Sequence, residues 1–240
     1  MSLIVHAGGS AATRDDLSLV PMPEATDSYI PVPHTHLVDT LSSIGRDILT
    51  EFRLEKEQFA LARDGNQLFG VLTFKGDHAD LGLSIGFRNS YDKSMAVGIA
   101  VGAEVFVCDN LAFAGDVTIL RKHTVNVWAS LEDLAISTLY RSRKNFQKIA
   151  EDSEMLKTKT LTDKEAFMLM GLLSGRRVVT LRQLSYVKLE WLNPSHEEFR
   201  PRNMWSLYNA CTEVLKTCPP LVIMERHIAL HRVVTEIGLN

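Results

Sequence analysis

The sequence predicts an α+β protein: an antiparallel β-sheet of consecutive hairpins, flanked by an N-terminal helix and several C-terminal helices. Three observations carry that prediction. Between about residues 51 and 127 the apolar positions recur with period two, interrupted by turn residues. From Ser130 onward the period becomes helical and capping patterns open the segments. Strands and helices are segregated along the chain rather than alternating, which excludes a doubly wound parallel sheet.

The elements follow in order. Residues 1–33 contain Gly8-Gly9 and four prolines, Pro21, Pro23, Pro31 and Pro33, and are expected to form an extended arm ahead of a single domain over 34–240. Thr35 is read as an N-cap, with Leu37, Val38, Leu41 and Ile44 at helical spacing and Gly45 ending the helix. Asp64-Gly65-Asn66 separates two alternating runs, a strong hairpin signal. "LGLSIGF" leads into the turn "RNSYDKS", and "MAVGIAVGAEVFVC" returns. Gly98 and Gly102 in the returning strand imply a bulge or the close approach of another backbone. "VTILRKHTVNV" reads as a further strand, placing the sheet at about 51–127. Ser130 and Asp133 then open a helix to about Asp152, within a helical part at about 130–238. Thr162 and Glu165 open the next, helices are expected near Thr180–Leu192 and Asn203–Thr217, and Pro219-Pro220 start the last, stopped by Gly238.

Composition narrows the function classes. The charged share of 23% and hydrophobic share of 45% are ordinary for a globular protein, and no apolar run approaches a membrane span. No basic region followed by a long apolar core stands at the N-terminus, so no signal peptide is expected. Three cysteines at no metal-like spacing argue against a disulfide framework and for a cytoplasmic location. Charge is uneven: residues 1–80 hold 6 basic and 12 acidic side chains, residues 117–148 hold 6 and 2, and residues 176–202 hold 6 and 3. An anionic partner can therefore be met only locally.

Catalytic patterns are weak. Cys108 and His123 lack an orienting third residue and a nucleophile elbow. His227 and His231 have i, i+4 spacing but no Glu after His227, and His34-x-His36 sits at a helix start, so no metal is expected. "GGSAAT" lacks the lysine of a phosphate loop, and no glycine pattern implies a dinucleotide, so no cofactor is expected. By contrast Arg141, Lys144 and Lys148 share one helical face, and with Arg121 and Lys122 on the preceding strand they could follow a phosphate backbone.

Four segments, "GFRNSYDKS", "GAEVFVCDNLAFAGD", "RKHT" and "PRNMWSLYNACTEVLK", resemble in order the phage/plasmid-like proteins grouped as domain of unknown function 932. The likeness covers roughly residues 30–218. Tyr91 stands where that family often has His, a departure. The resemblance implies a phage, plasmid or prophage context and no particular activity. The element order is also similar to the core of RecT/Redβ-type single-strand annealing proteins, an analogy at the fold level alone.

These readings lead to an expected non-catalytic homo-oligomer that binds or anneals single-stranded DNA through Arg88, Lys93, Arg121, Lys122, Arg141, Lys144 and Lys148, with Tyr91 as a stacking ring. A structural role is the other reading of the motif residues Asn89, Asp92, Cys108, Asp109, Asn110, Trp205, Asn209 and Glu213. Asn209 and Glu213, at i and i+4, could clasp a turn such as "RNSYDKS". The alternative function is a protein-interaction module acting on a host protein, suggested by the acidic, proline-punctuated first 80 residues. A metal-dependent enzyme is the remaining option.

Overall fold

In a computed structural model, the structure describes residues 9–106, 110–121 and 127–238. Six strands form one sheet in which every neighbour in sequence is an antiparallel neighbour in space. They are β1 (Ser10–Ala12), β2 (Arg53–Ala62), β3 (Gln67–Lys75), β4 (Leu81–Ser90), β5 (Val97–Val105) and β6 (Asn110–Arg121). The expected consecutive hairpins are therefore present. The Asp64-Gly65 turn closes β2 onto β3, with Ala62 opposite Gln67, and its residues Arg63, Asp64 and Gly65 take φ of 50°, 55° and 86°. That left-handed stretch explains the Asp-Gly-Asn chemistry, because these residue types tolerate positive φ best.

The first difference from expectation lies at the N-terminus. Residues 10–12 pair with β2 and extend the sheet, and α1 (Arg14–Leu19) follows under a Thr13–Asp16 capping box. Arg14 fixes this segment to the body through two bonds of 2.8 Å to Glu57 and a contact with Asp39. A three-residue strand and a six-residue helix are too short to leave a periodic signal.

The second difference concerns α2 (His34–Ile48), which runs through Gly45 and is preceded by Pro33 as N-cap. Gly45 serves packing instead: a Cβ there would lie 2.5 Å from the Phe74 ring of β3. The register irregularity and the close backbone approach expected of this strand both fall at Gly102 of β5. Register shifts between Ala100 and Gly102, and a Cβ on Gly102 would lie 2.1 Å from the Ala112 carbonyl.

The helices are α3 (Val127–Thr158), α4 (Asp163–Gly175), α5 (Leu181–Leu192), α6 (Met204–Leu215) and α7 (Pro220–Gly238). The Thr162–Glu165 box caps α4, Thr180 with Gln183 caps α5, and Asn203 caps α6. α3 begins before Ser130 and continues past Asp152.

Both faces of β4 and β5 are buried throughout. On one face, alternate residues Leu83, Ile85, Phe87 and Asn89 share the side of Phe74, and Asn89 meets His34 of α2. α3 packs beside α2, where Arg143 donates to the Ile48 carbonyl at 2.7 Å and Phe146 meets Phe52 edge-on. On the other face Gly82, Ser84, Gly86 and Arg88 form a floor of mostly small side chains, covered by α7. α6 packs against α3, α5 and α7 beside β6. No helix of the described residues is long and apolar enough to cross a membrane.

Candidate functional site

The polar motif that ends β4 is turned inward. Arg88 is buried and donates two hydrogen bonds to Glu225 of α7, at 2.8 and 3.1 Å. Asn89 donates through Nδ2 to the Val32 carbonyl at 2.6 Å and to His34 Nδ1 at 2.9 Å. His34 Nε2 in turn donates to the Gly65 carbonyl at 3.0 Å, so its two partners assign the tautomer. Tyr91 stacks on the His34 ring with centroids 3.9 Å apart, and its hydroxyl accepts the His34 backbone N–H at 2.9 Å. Burial pushes the Tyr91 hydroxyl pKa up. The motif thus ties the β2–β3 turn, the β4 end and the start of α2 together. Tyr91 does not present a stacking ring to solvent, because its ring covers His34.

The turn itself is solvated and locally satisfied. Asp92 accepts from the Ser94 amide at 3.0 Å and from Gln67 at 3.1 Å. Burial raises the Asp92 pKa, but the bonds from Ser94 and Gln67 and the nearby Arg63 charge together hold it below the usual carboxylate range. Lys93, at φ 61°, lays its ammonium over the Tyr29 ring at 4.6 Å.

A second polar junction joins β6 to α6. Asn110 Nδ2 donates to Asn209 Oδ1 at 3.1 Å, while Asn209 Nδ2 donates to the Trp205 carbonyl at 2.9 Å. The Asn209 clasp therefore reaches the "CDN" segment and not "RNSYDKS", and Glu213 pairs with Lys216. Trp205 stacks on Tyr208 at 5.2 Å, and Tyr208 meets His231 edge-on at 6.1 Å. Burial raises the Tyr208 pKa and pushes the Cys211 thiol up to about 12, so neither is primed as a nucleophile. Cys108, Asp109, Lys122 and His123 lie outside the described residues. Arg121 ends β6 opposite Val97.

The i, i+4 histidines of α7 serve different partners. His227 Nδ1–H donates to the Leu111 carbonyl at 2.6 Å, whereas His231 Nε2 lies 3.5 Å from Asp152. Burial and the Lys216 charge lower the His227 pKa to about 4, despite the opposing bond to Leu111. Among the described residues no group of three His, Cys, Asp or Glu side chains is placed to hold a metal ion.

The exposed chemistry lies on α3. Its inner face buries Leu131, Ala135, Leu139, Phe146 and Ile149. Arg141, Lys144 and Lys148 all project to solvent on the opposite side. Lys148 is 3.6 Å from Asp152, and Arg143, on a flank, is drawn to Glu51. Beside the stripe stands Tyr140, 70% exposed, which the sequence reading passed over. The helical phase of α3 held the signal, since Tyr140 is one residue after the buried Leu139 and four before Lys144.

Two clefts lie elsewhere. One of about 760 Å³ runs between α5, α6 and the start of α7, with Tyr186, Leu189 and Val222 in its wall. One of about 410 Å³ lies by the β4 and β5 ends and is lined by Phe106, Phe199, Trp205 and Lys157. Lys157 is held there by Glu154 and Asp80.

The fold and its junctions define an α+β protein with a meander sheet, covered on one face by α2 and α3 and on the other by α7. The chain belongs to the family described as Domain of unknown function (DUF932), whose model matches residues 24–226. No curated protein and no solved structure matches it. Both polar junctions, around Asn89 and between Asn110 and Asn209, fall inside the matched span.

Proposed function

We propose that this chain is a non-catalytic, single-stranded DNA-binding protein of a phage or plasmid, holding the strand along the outer face of α3. The observation that carries the reading is the exposed Tyr140 ring beside the solvent-facing cations Arg141 and Lys144. Cations that neutralise phosphates, together with a ring on which a base stacks, are the two parts of sequence-tolerant single-strand binding. Neither Arg141 nor Lys144 forms an ion pair among the described residues, so both charges stay available. The helix–meander–long helix order, similar to RecT/Redβ-type annealing proteins, and the phage or plasmid context that the family resemblance implies support the reading.

Fluorescence anisotropy with a labelled oligonucleotide tests the reading. Binding should weaken steeply as salt rises. Tyr140→Ala should remove about 1–3 kcal/mol of affinity and leave the salt slope unchanged. Lys144→Ala should instead lower the slope by about 0.7. No binding at micromolar protein in low salt defeats the proposal.

A further inference from the structure

The helix α4 is apolar on nearly every side between Ala166 and Leu173. Such a helix is normally buried all round. Here only one face is: Ala166, Met170 and Leu173 pack inward. The opposite face carries Lys164, Phe167, Met168, Gly171, Leu172 and Gly175 at helical spacing, all exposed. Phe167 is 39% and Met168 66% exposed. Leu181, at the start of α5 and 81% exposed, adds a further apolar side chain in the α4–α5 hairpin.

The two glycines sharpen the question. A Cβ at Gly171 or Gly175 would meet nothing within 4 Å, so no contact inside the chain requires a glycine at either place. Glycine within a helix weakens it relative to alanine. A bare backbone on an exposed apolar face has a use when a second helix approaches closely.

We propose that this face of α4 is a dimer interface, on which α4 of a second copy lies antiparallel about a two-fold axis near Gly171. Charge selects that occupant and direction. The first turn of α4 is acidic, with Asp163 and Glu165, and Arg176 and Arg177 follow its last turn. In an antiparallel pair centred on Gly171, each copy's Glu165 lies beside the other's Arg177, while Arg176 is paired with Glu236 of its own chain, and the helix dipoles oppose. The same register sets Phe167 and Met168 of one copy over the bare backbone at Gly175 of the other. A contact of the same patch with itself closes on two copies and exposes no further sticky surface. The helix is about 20 Å long, and such a small interface gives a concentration-dependent dimer.

Sedimentation velocity on the full chain across a concentration series tests this. The wild type should shift from monomer to dimer as concentration rises. Met168→Glu and Gly171→Leu should each weaken the dimer by at least about tenfold. Both sites are open, so the thermal melt of the monomer should stay unchanged or, for Gly171→Leu, rise. A Gly171→Cys chain treated with a short bis-maleimide should link to itself, while the parent treated alike should not. A wild type monomeric at every concentration overturns the proposal. So does a dimer that survives both Met168→Glu and Gly171→Leu, or a Gly171→Cys chain that fails to link in a proven dimer.

Discussion

The end of β4 and the outer face of α3 both carry cations and an aromatic ring, and they use them in opposite ways. At the end of β4, Arg88 faces Glu225, Asn89 faces Val32 and His34, and Tyr91 covers His34. On α3, Arg141, Lys144 and Tyr140 face water. The denser motif is therefore a clasp, and the plainer helix face is the available surface. A run of polar residues in a strand and turn sits where three chain segments converge, so its hydrogen-bonding capacity is taken up internally. A residue on the far side of an amphipathic helix has no such neighbours.

The strongest way to break this comparison is to truncate the motif side. Trp205→Ala should destabilise the protein by about 3–5 kcal/mol, because a buried ring stacked on Tyr208 is replaced by a cavity. Urea unfolding measures it, and any loss of DNA binding should track the unfolded fraction. A folded Trp205→Ala protein that no longer binds would move the functional surface to α6.

Acid provides the next largest effect. His227 has a folded pKa of about 4, below its ordinary value of 6.5, so the fold favours the neutral ring. Its contribution is complete above pH 6.5 and is lost as pH falls from there towards 4. The depression of about 2.5 units corresponds to about 3 kcal/mol. His227→Gln keeps a donor for the Leu111 carbonyl and never charges. Its stability should fall less than that of the wild type between pH 7 and 4, by about that amount. Parallel curves for the two proteins would show that this histidine is not held neutral.

Smaller losses are expected within the clasp. Asn89→Ala strips a donor from both the Val32 carbonyl and His34 Nδ1 and should cost about 1–3 kcal/mol in all. Arg88→Ala should cost about 1–3 kcal/mol in all, since Glu225, 47% exposed, can return to water. Neither change should alter the affinity of the folded protein for an oligonucleotide. A specific loss of binding in either variant would make the β4 end part of the ligand surface.

Arg141→Ala should give the smallest change in stability, about 0.5 kcal/mol or less, because its side chain is solvated. Thermal melts beside anisotropy should therefore separate it cleanly from Arg88→Ala, with stability kept and binding weakened. Equal behaviour of the two arginines in both assays would erase the distinction between clasp and surface.

Local chemistry alone determined much of this protein. The Asp64-Gly65 turn, the β-runs on either side of "RNSYDKS" and the capping box at Thr162 are short-range signals, and each reappears as an element. The four motifs were likewise enough to place the chain in its family. Only the tertiary structure decided what those residues touch. Gly45 reads as a helix end because glycine commonly ends helices, yet Phe74, 29 positions along the chain, makes it a contact point. For Asn209 the sequence suggests the "RNSYDKS" turn, but hydrogen-bonding capacity carries no address, and its partner Asn110 is 99 residues away. Arg88 and Arg141 look alike in one dimension. What separates them is which side of an element meets another layer, and that is settled by strands and helices distant in sequence coming together to remove apolar surface from water.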